Sequence, residues 1–326
     1  MKEWRYRLNE RRSTLMAAGI FLVMFAIYVS NHPAGLTANV VQTAANKGVL
    51  LAFVAMAQTL VVITAGIDLS VGMIFILTNA LASWIVLGTA IETALGVIAV
   101  LSTRVFCGAL NCPVVLYGGL PPGCATLATG SGFSADSLLP RPLSGGSVNE
   151  ELADFMTGKI FGTVPASLVA LAAIVLIIWV PFSRSIIGRT AYASGSSETA
   201  AYMSGLPIRR AKFTAYALAG LLASIGGLFL TFFTFTGEAA LASGNAYTLF
   251  SIASVVLGGV SLFGGKGSAI GAIFGALAFR TIGDLLFVFD FDPLWQPLFQ
   301  GVVLLVAVSL GAFGLFRVRN RLEWFG

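Results

Sequence analysis

"LLAFVAMAQTLVVITAGIDLSVGMIFILTNALA", residues 50–82, carries one charged side chain, Asp68, between two long apolar runs. Crossing a bilayer as a helix takes roughly 20 apolar residues. The runs extend to that length on both sides, over about 41–64 and about 70–89. The stretch therefore reads as two membrane helices joined by a short turn. Gly66 breaks the first run, and Asp68-Leu69-Ser70 reads as a helix stop followed by an N-cap. Asp68 or Ser70 would accept hydrogen bonds from the free amides that open the next helix, where the helix dipole favours negative charge. The charge count below puts this turn near the cytoplasmic face, within reach of water.

Composition extends this reading to the whole chain of 326 residues. It is 57% hydrophobic and 10% charged, with a mean hydropathy of +0.91, where soluble domains carry about 25% charged residues. A membrane β-barrel would show short alternating segments, so the expected fold is an all-α polytopic membrane protein. Further spans are expected at about 14–30, 164–182, 213–235, 247–263, 267–289 and 294–315, with two more between about 90 and 140. That makes about ten, which puts both termini on one side.

Charge sorts the sides. Lys2, Arg5, Arg7, Arg11 and Arg12, then Arg184, Arg189, Arg209, Arg210 and Lys212, then Lys266, and last Arg317, Arg319 and Arg321 all fall on one face. By the positive-inside rule that face is the cytoplasm. Lys47, Arg141 and Lys159 fall toward the other face with Glu150, Glu151, Asp154, Glu238, Asp290 and Asp292, while Arg104 and Arg280 lie inside spans. Residues 1–326 make one transmembrane domain, with a basic cytoplasmic arm at 1–13 and a cytoplasmic loop at 183–212. Neither hydrophilic loop, 141–163 or 183–212, is long enough to fold as a catalytic domain.

Several function classes drop out. The net charge of +5 is a topology signal and not a nucleic-acid footprint, so no nucleic-acid partner is expected. Cys107, Cys112 and Cys124 make neither a CxxC pair nor a metal spacing with the lone His32, so no metal site is expected. "FGGKGS" at 263–268 lacks the first glycine of a phosphate loop and reads as a tight turn. No Ser/His/Asp or Cys/His set is present for an intramembrane enzyme. A proton- or sodium-coupled carrier usually needs ionisable groups at mid-membrane, and they are few.

Three other features point to function. In "GRTAYASGSSETAAYMSGLPIRRAKFTAYALAG", 188–220, small capping residues precede Glu198-Thr199-Ala200-Ala201, and Gly205 and Pro207 then stop the short helix. Such a helix suits docking into a groove of another protein, or serves as an ordinary connector. Arg280 and Asp284, four apart, share a helix face and are expected to pair. Gln58, Asn79, Gln296 and Gln300 suit either the path of a polar solute or hydrogen bonding between helices.

Taken together, "AQTLVVITAGIDLSVG" (57–72), with Gly66, Asp68, Leu69, Ser70 and Gly72, the 188–220 loop and "VVLGGVSLFGGKGSAIGAIFGAL" (255–277) resemble the permease subunits of bacterial ABC importers for monosaccharides. That ribose-type group is related to the branched-chain amino-acid permeases. The resemblance implies an inner-membrane subunit of a homo- or heterodimer. Two ATPase subunits would dock at the loop, through Glu198, Thr199, Ala200, Ala201, Gly205 and Arg209, and a periplasmic binding protein would deliver the sugar. ATP and magnesium would belong to the ATPases, so the chain itself is not expected to be an enzyme or to hold a cofactor. A permease for another small polar solute (a branched-chain amino acid or an autoinducer-type sugar derivative) and a self-sufficient secondary carrier are the alternatives. Residues 102–147 depart from the family pattern: they hold all three cysteines and five of the eleven prolines, and kinks are expected at Pro113 and Pro121-Pro122. "ALN" (109–111) and "ATLATG" (125–130) still resemble family fragments.

Overall fold

A computed structural model describes residues 12–309 except 239 and 307. Lys2, Arg5, Arg7 and Arg11 of the basic arm, Arg317, Arg319 and Arg321, and the end of the tenth expected span lie outside the described residues. In chain order the helices are α1 (Arg12–Asn31), α2 (Ala38–Val62), α3 (Val71–Ile85), α4 (Ala90–Gly118), α5 (Pro122–Leu138) and α6 (Glu150–Thr157). A two-stranded hairpin, β1 (Lys159–Ile160) and β2 (Val164–Pro165), precedes α7 (Ala166–Arg184). Then follow α8 (Ile186–Ser196), α9 (Glu198–Met203), α10 (Ile208–Thr234), α11 (Leu241–Leu257), α12 (Ala269–Val288) and α13 (Pro293–Val306). Six of them (α1, α2, α4, α7, α10 and α12) are long and apolar enough to cross a membrane, and α3, α11 and α13 are shorter apolar helices.

A helix apolar all round belongs in the middle of a bundle, and α2 is that helix: its residues from Val49 to Val62 are all buried. Against it pack α10, α11 and α12, while α10 also contacts α3 and α4 and α12 contacts α1. The outward residues of α1, among them Leu15, Leu22 and Val23, stay exposed, as a lipid-facing helix requires.

Some boundaries differ from the sequence expectation. α11 runs 241–257 and not 247–263, because Gly258 caps it and Gly259 turns with φ 74°; the apolar residues beyond belong to a turn. Pro113 sits inside α4, which runs on through it to Gly118. The missing amide there forfeits only one bond, to the carbonyl of Ala109. Pro121 and Pro122 open α5, where a proline has no intrahelical bond to lose.

Candidate functional site

The turn of residues 63–70 is where the chemistry concentrates. α2 ends with Ala65 in the left-handed region (φ 61°), and the Gly66 amide donates to the Val61 carbonyl at 3.3 Å. The stop therefore places positive φ on Ala65 and not on Gly66. Gly66 answers a need for space: a Cβ there would stand 3.2 Å from the Tyr216 hydroxyl. Gly72 is a close approach as well, since a Cβ would collide with the Gly244 carbonyl of α11, and its amide donates to Thr248 Oγ1 at 3.1 Å.

Asp68 is not at a wet cytoplasmic rim, as its place in the charge count implies; it is 1% exposed. Nor does it cap the amides of the first turn of α3. Its Oδ1 accepts the Ser70 amide at 2.8 Å and the Ser70 hydroxyl at 2.6 Å, while Ser70 occupies the N-cap without a side-chain capping bond. The reason is upstream in the hydrogen-bond chain. Asn111 Nδ2 of α4 donates to Ser70 Oγ at 2.7 Å, and Thr129 Oγ1 of α5 donates to Asn111 Oδ1 at 2.6 Å. All the donors thus point along one line toward the carboxylate, an arrangement in which each bond polarises the next. Beside it, the Leu69 amide donates to Thr126 Oγ1 at 2.9 Å.

The 188–220 loop is built on top of this turn. Ser197 caps α9 by accepting the Ala200 amide at 3.3 Å. Gly205, at φ 71°, ends it with its amide on the Tyr202 carbonyl at 2.9 Å. Glu198 pairs with Lys212 of α10 at 2.8 Å. Thr199 and Ala200 face out, Ala201 is buried beneath them, and Tyr202 and Met203 are 77% and 84% exposed.

Beneath α9 lies α8, which the sequence reading missed because Ser194-Gly195-Ser196 looked like a cap rather than a helix end. A Cβ on Gly195 would run into the Ile63 carbonyl and the Gly265 amide, and that amide donates to the same carbonyl at 3.0 Å. Tyr192 Oη of α8 donates to the Gly267 carbonyl at 2.7 Å, and burial pushes its phenol up to about 12. Residues 263–268 do form a tight turn, with Gly264, Gly265 and Gly267 all at positive φ. Three connectors far apart in sequence thus meet in one joint.

On the opposite side of the bundle lie two adjoining cavities of about 70 and 160 Å³, which share Lys47 and Arg280. The expected Arg280–Asp284 pair does not form: Asp284 pairs with Lys47 of α2 at 3.1 Å. Helix-surface spacing permits a partner four residues away, but α2 packs directly against α12 and offers a nearer one. Arg280 has no ion pair among the described residues. Gln296 lines the larger cavity and Gln300 the smaller. Asn79 is spent on structure, donating to Thr231 Oγ1 and the Thr236 carbonyl at 2.9 and 3.0 Å and accepting the Glu238 amide at 2.7 Å. Gln58, with no exposed surface, has no hydrogen-bond partner among the described residues, like Asp68 Oδ2 and Tyr216 Oη.

A bundle of lipid-length helices, with a short capped helix presented outside it, defines a multi-pass membrane protein. Comparison with known proteins narrows the class. The chain belongs to the branched-chain amino acid transport system / permease component family, whose model matches residues 40–308. It is 32% identical over 296 residues to the ribose import permease protein RbsC of Bacillus subtilis (strain 168), covering 90% of each chain. It is 31% identical over 310 residues to the probable ABC transporter permease protein y4mJ of Sinorhizobium fredii, covering 94% of this chain and 91% of that one. The fructose import permease protein FrcC of Rhizobium meliloti is 32% identical over 272 residues, 80% of this chain and 74% of its own. No solved structure matches. The chain is accordingly a multi-pass inner-membrane permease of the ABC importer kind, a group of transport components and not of enzymes.

Proposed function

We propose that this chain forms the gated pathway of an ATP-driven importer that moves a monosaccharide across the inner membrane. The observation that carries the reading is α9: a capped, exposed helix seated through α8 on the 63–70 and 263–268 turns. α8 in turn touches the turns that end α2, open α3 and open α12. Relatives named for ribose and fructose import support a sugar as the solute. The partners are a second permease chain, two ATPases that bind ATP and magnesium, and a periplasmic sugar-binding protein.

Ten spans with both termini cytoplasmic agree with the connector contacts. The turns at 63–70 and 258–268 and the 183–212 loop touch one another. On the other side, Asn149 bonds Val86, Arg141 bonds Ser83, Gly145 pairs with Gly237, and Lys159 bonds Asn39. Grouping of the connectors into these two sets supports the alternation of spans. Gln58 falls on the same face of α2 as Lys47, 11 residues away, with the apolar Leu51, Val54 and Ala55 between them; Gln296 and Gln300 line the outer cavities.

The test is reconstitution with the neighbouring ATPase and binding protein in liposomes. Uptake is expected to need ATP, and Glu198→Lys or Gly205→Val to lose the ATPase on copurification while the permease stays folded. Full uptake by the permease alone would overturn the reading in favour of a secondary carrier.

A further inference from the structure

Between the cytoplasmic ends of α4 and α10 lies an open cavity of about 380 Å³ that shares no lining residue with the two Lys47–Arg280 cavities. Its walls are apolar: Pro113 and Leu116 of α4, Ile187 of α8 and Phe213 of α10. Its mouth is basic. Arg209 and Arg210 line it, and the Arg209 guanidinium lies 5.9 Å from the centre of the Tyr117 ring, which holds it at the rim. Neither arginine has an ion pair among the described residues, whereas the neighbouring Lys212 is committed to Glu198. Tyr117 and Phe213 are 74% and 46% exposed.

We infer that this groove binds an anionic phospholipid, with the phosphate between Arg209 and Arg210 and an acyl chain along Leu116 and Phe213. Charge complementarity selects this occupant. Unpaired guanidinium groups above an apolar slot, at headgroup depth on the cytoplasmic side, match a lipid that is anionic at one end and hydrocarbon at the other; basic pockets between membrane helices on that side bind such headgroups. A guanidinium takes phosphate oxygens in a fork, which an ammonium cannot do. The inference assigns Arg209 to lipid and not to ATPase docking. It rests on the cytoplasmic placement of the 183–212 loop, which labelling of an Arg189→Cys thiol with a membrane-impermeant maleimide checks separately.

The experiment is native mass spectrometry of the full chain released from nanodiscs of phosphatidylglycerol and phosphatidylethanolamine in equal parts. The wild-type chain is expected to retain phosphatidylglycerol selectively. Each basic residue near an anionic headgroup is worth about a fivefold factor, so Arg209→Gln with Arg210→Gln should cut retention about thirtyfold. Leu116→Trp, which fills the slot and keeps both charges, should also cut it, while Arg209→Lys with Arg210→Lys should keep part of it. Equal retention of the two lipids, or unchanged retention in the glutamine variant, would overturn the inference. Loss of ATPase copurification in that variant with lipid retention intact would overturn it too, and would return the arginines to the docking surface.

Discussion

Replacing Asn111 by alanine strips two hydrogen bonds from a side chain with no exposed surface: the 2.7 Å bond to Ser70 Oγ and the 2.6 Å bond from Thr129. A buried hydrogen bond is worth about 1 kcal/mol net, and both partners keep another bond, Ser70 Oγ to Asp68 and Thr129 Oγ1 to the Thr126 carbonyl, so the expected cost is about 2 kcal/mol. Ser70→Ala removes the hydroxyl bond to the Asp68 carboxylate and the bond from Asn111 and leaves the buried Asn111 Nδ2 without an acceptor, for a larger total of about 3–5 kcal/mol. The two changes share one bond, so the double variant removes it once where the singles remove it twice. It should therefore cost less than the sum by about 1 kcal/mol or more, within the range for contacting residues. Reversible unfolding of the purified chain in mixed detergent micelles measures all four corners of this cycle. Thr281→Val serves as the control partner, since that hydroxyl bonds only the Leu277 carbonyl of its own helix, at 2.8 Å, and should add to Asn111→Ala without coupling. Additivity of Ser70 and Asn111 within about 0.5 kcal/mol would refute the relay, and with it the claim that residues 102–147 hold the turn.

Two further outcomes follow from the geometry. Lys47→Met leaves the Asp284 carboxyl, 11% exposed, without its cation and should cost on the order of 2 kcal/mol, most of it recovered by adding Asp284→Asn. The same unfolding assay should find Arg280→Met uncoupled from Asp284, and a larger coupling there than to Lys47 would restore the helix-neighbour pairing. The Tyr192 phenol is raised to about 12 by burial, so its neutral form is favoured in the folded state. That contribution is complete below about pH 10, the ordinary phenol value, and is lost as pH rises toward 12; protection factors at α8, taken against the intrinsic exchange rate at each pH, should fall across that window in the wild-type chain and fall less in Tyr192→Phe.

The bundle was legible because long apolar runs and one-sided charge are one-dimensional signals. Helix ends were legible where a residue acts locally: Ser197 as a cap, Gly205 at φ 71°, and the glycines of 263–268. What escaped was set by tertiary contact. The place of Asp68 in the charge count suggested water, yet donors from α4 and α5 make burial tolerable, and those donors come from the stretch whose cysteines and prolines looked foreign. The fragments "ALN" and "ATLATG" were the available signal, since they contain Asn111, Thr126 and Thr129. Lys47 was read as a topology charge; only the packing of α2 on α12 shows that it answers Asp284.

On the proposed function, the same contacts say where the coupling joint can give and where it cannot. Gly195 has no room to slide over the Ile63 carbonyl, and a Cβ on Gly188 would strike the Phe182 carbonyl, so α8 is locked both to the 63–70 turn and to the end of α7. The turn in turn carries a buried carboxylate that cannot leave its donors without a large desolvation cost. Displacing one of these pieces against another would break the contacts and hydrogen bonds between them. Compliance is left to the link between α9 and α10, where nothing crowds Gly205 and the tie is the Glu198–Lys212 pair, whose carboxylate is 59% exposed. A pair so exposed is worth at most about 1 kcal/mol, a latch weak enough for a docking partner to release. On the proposed function, an ATPase that grips α9 bears on the ends of α2 and α12 through α8, and on α10 through that pair.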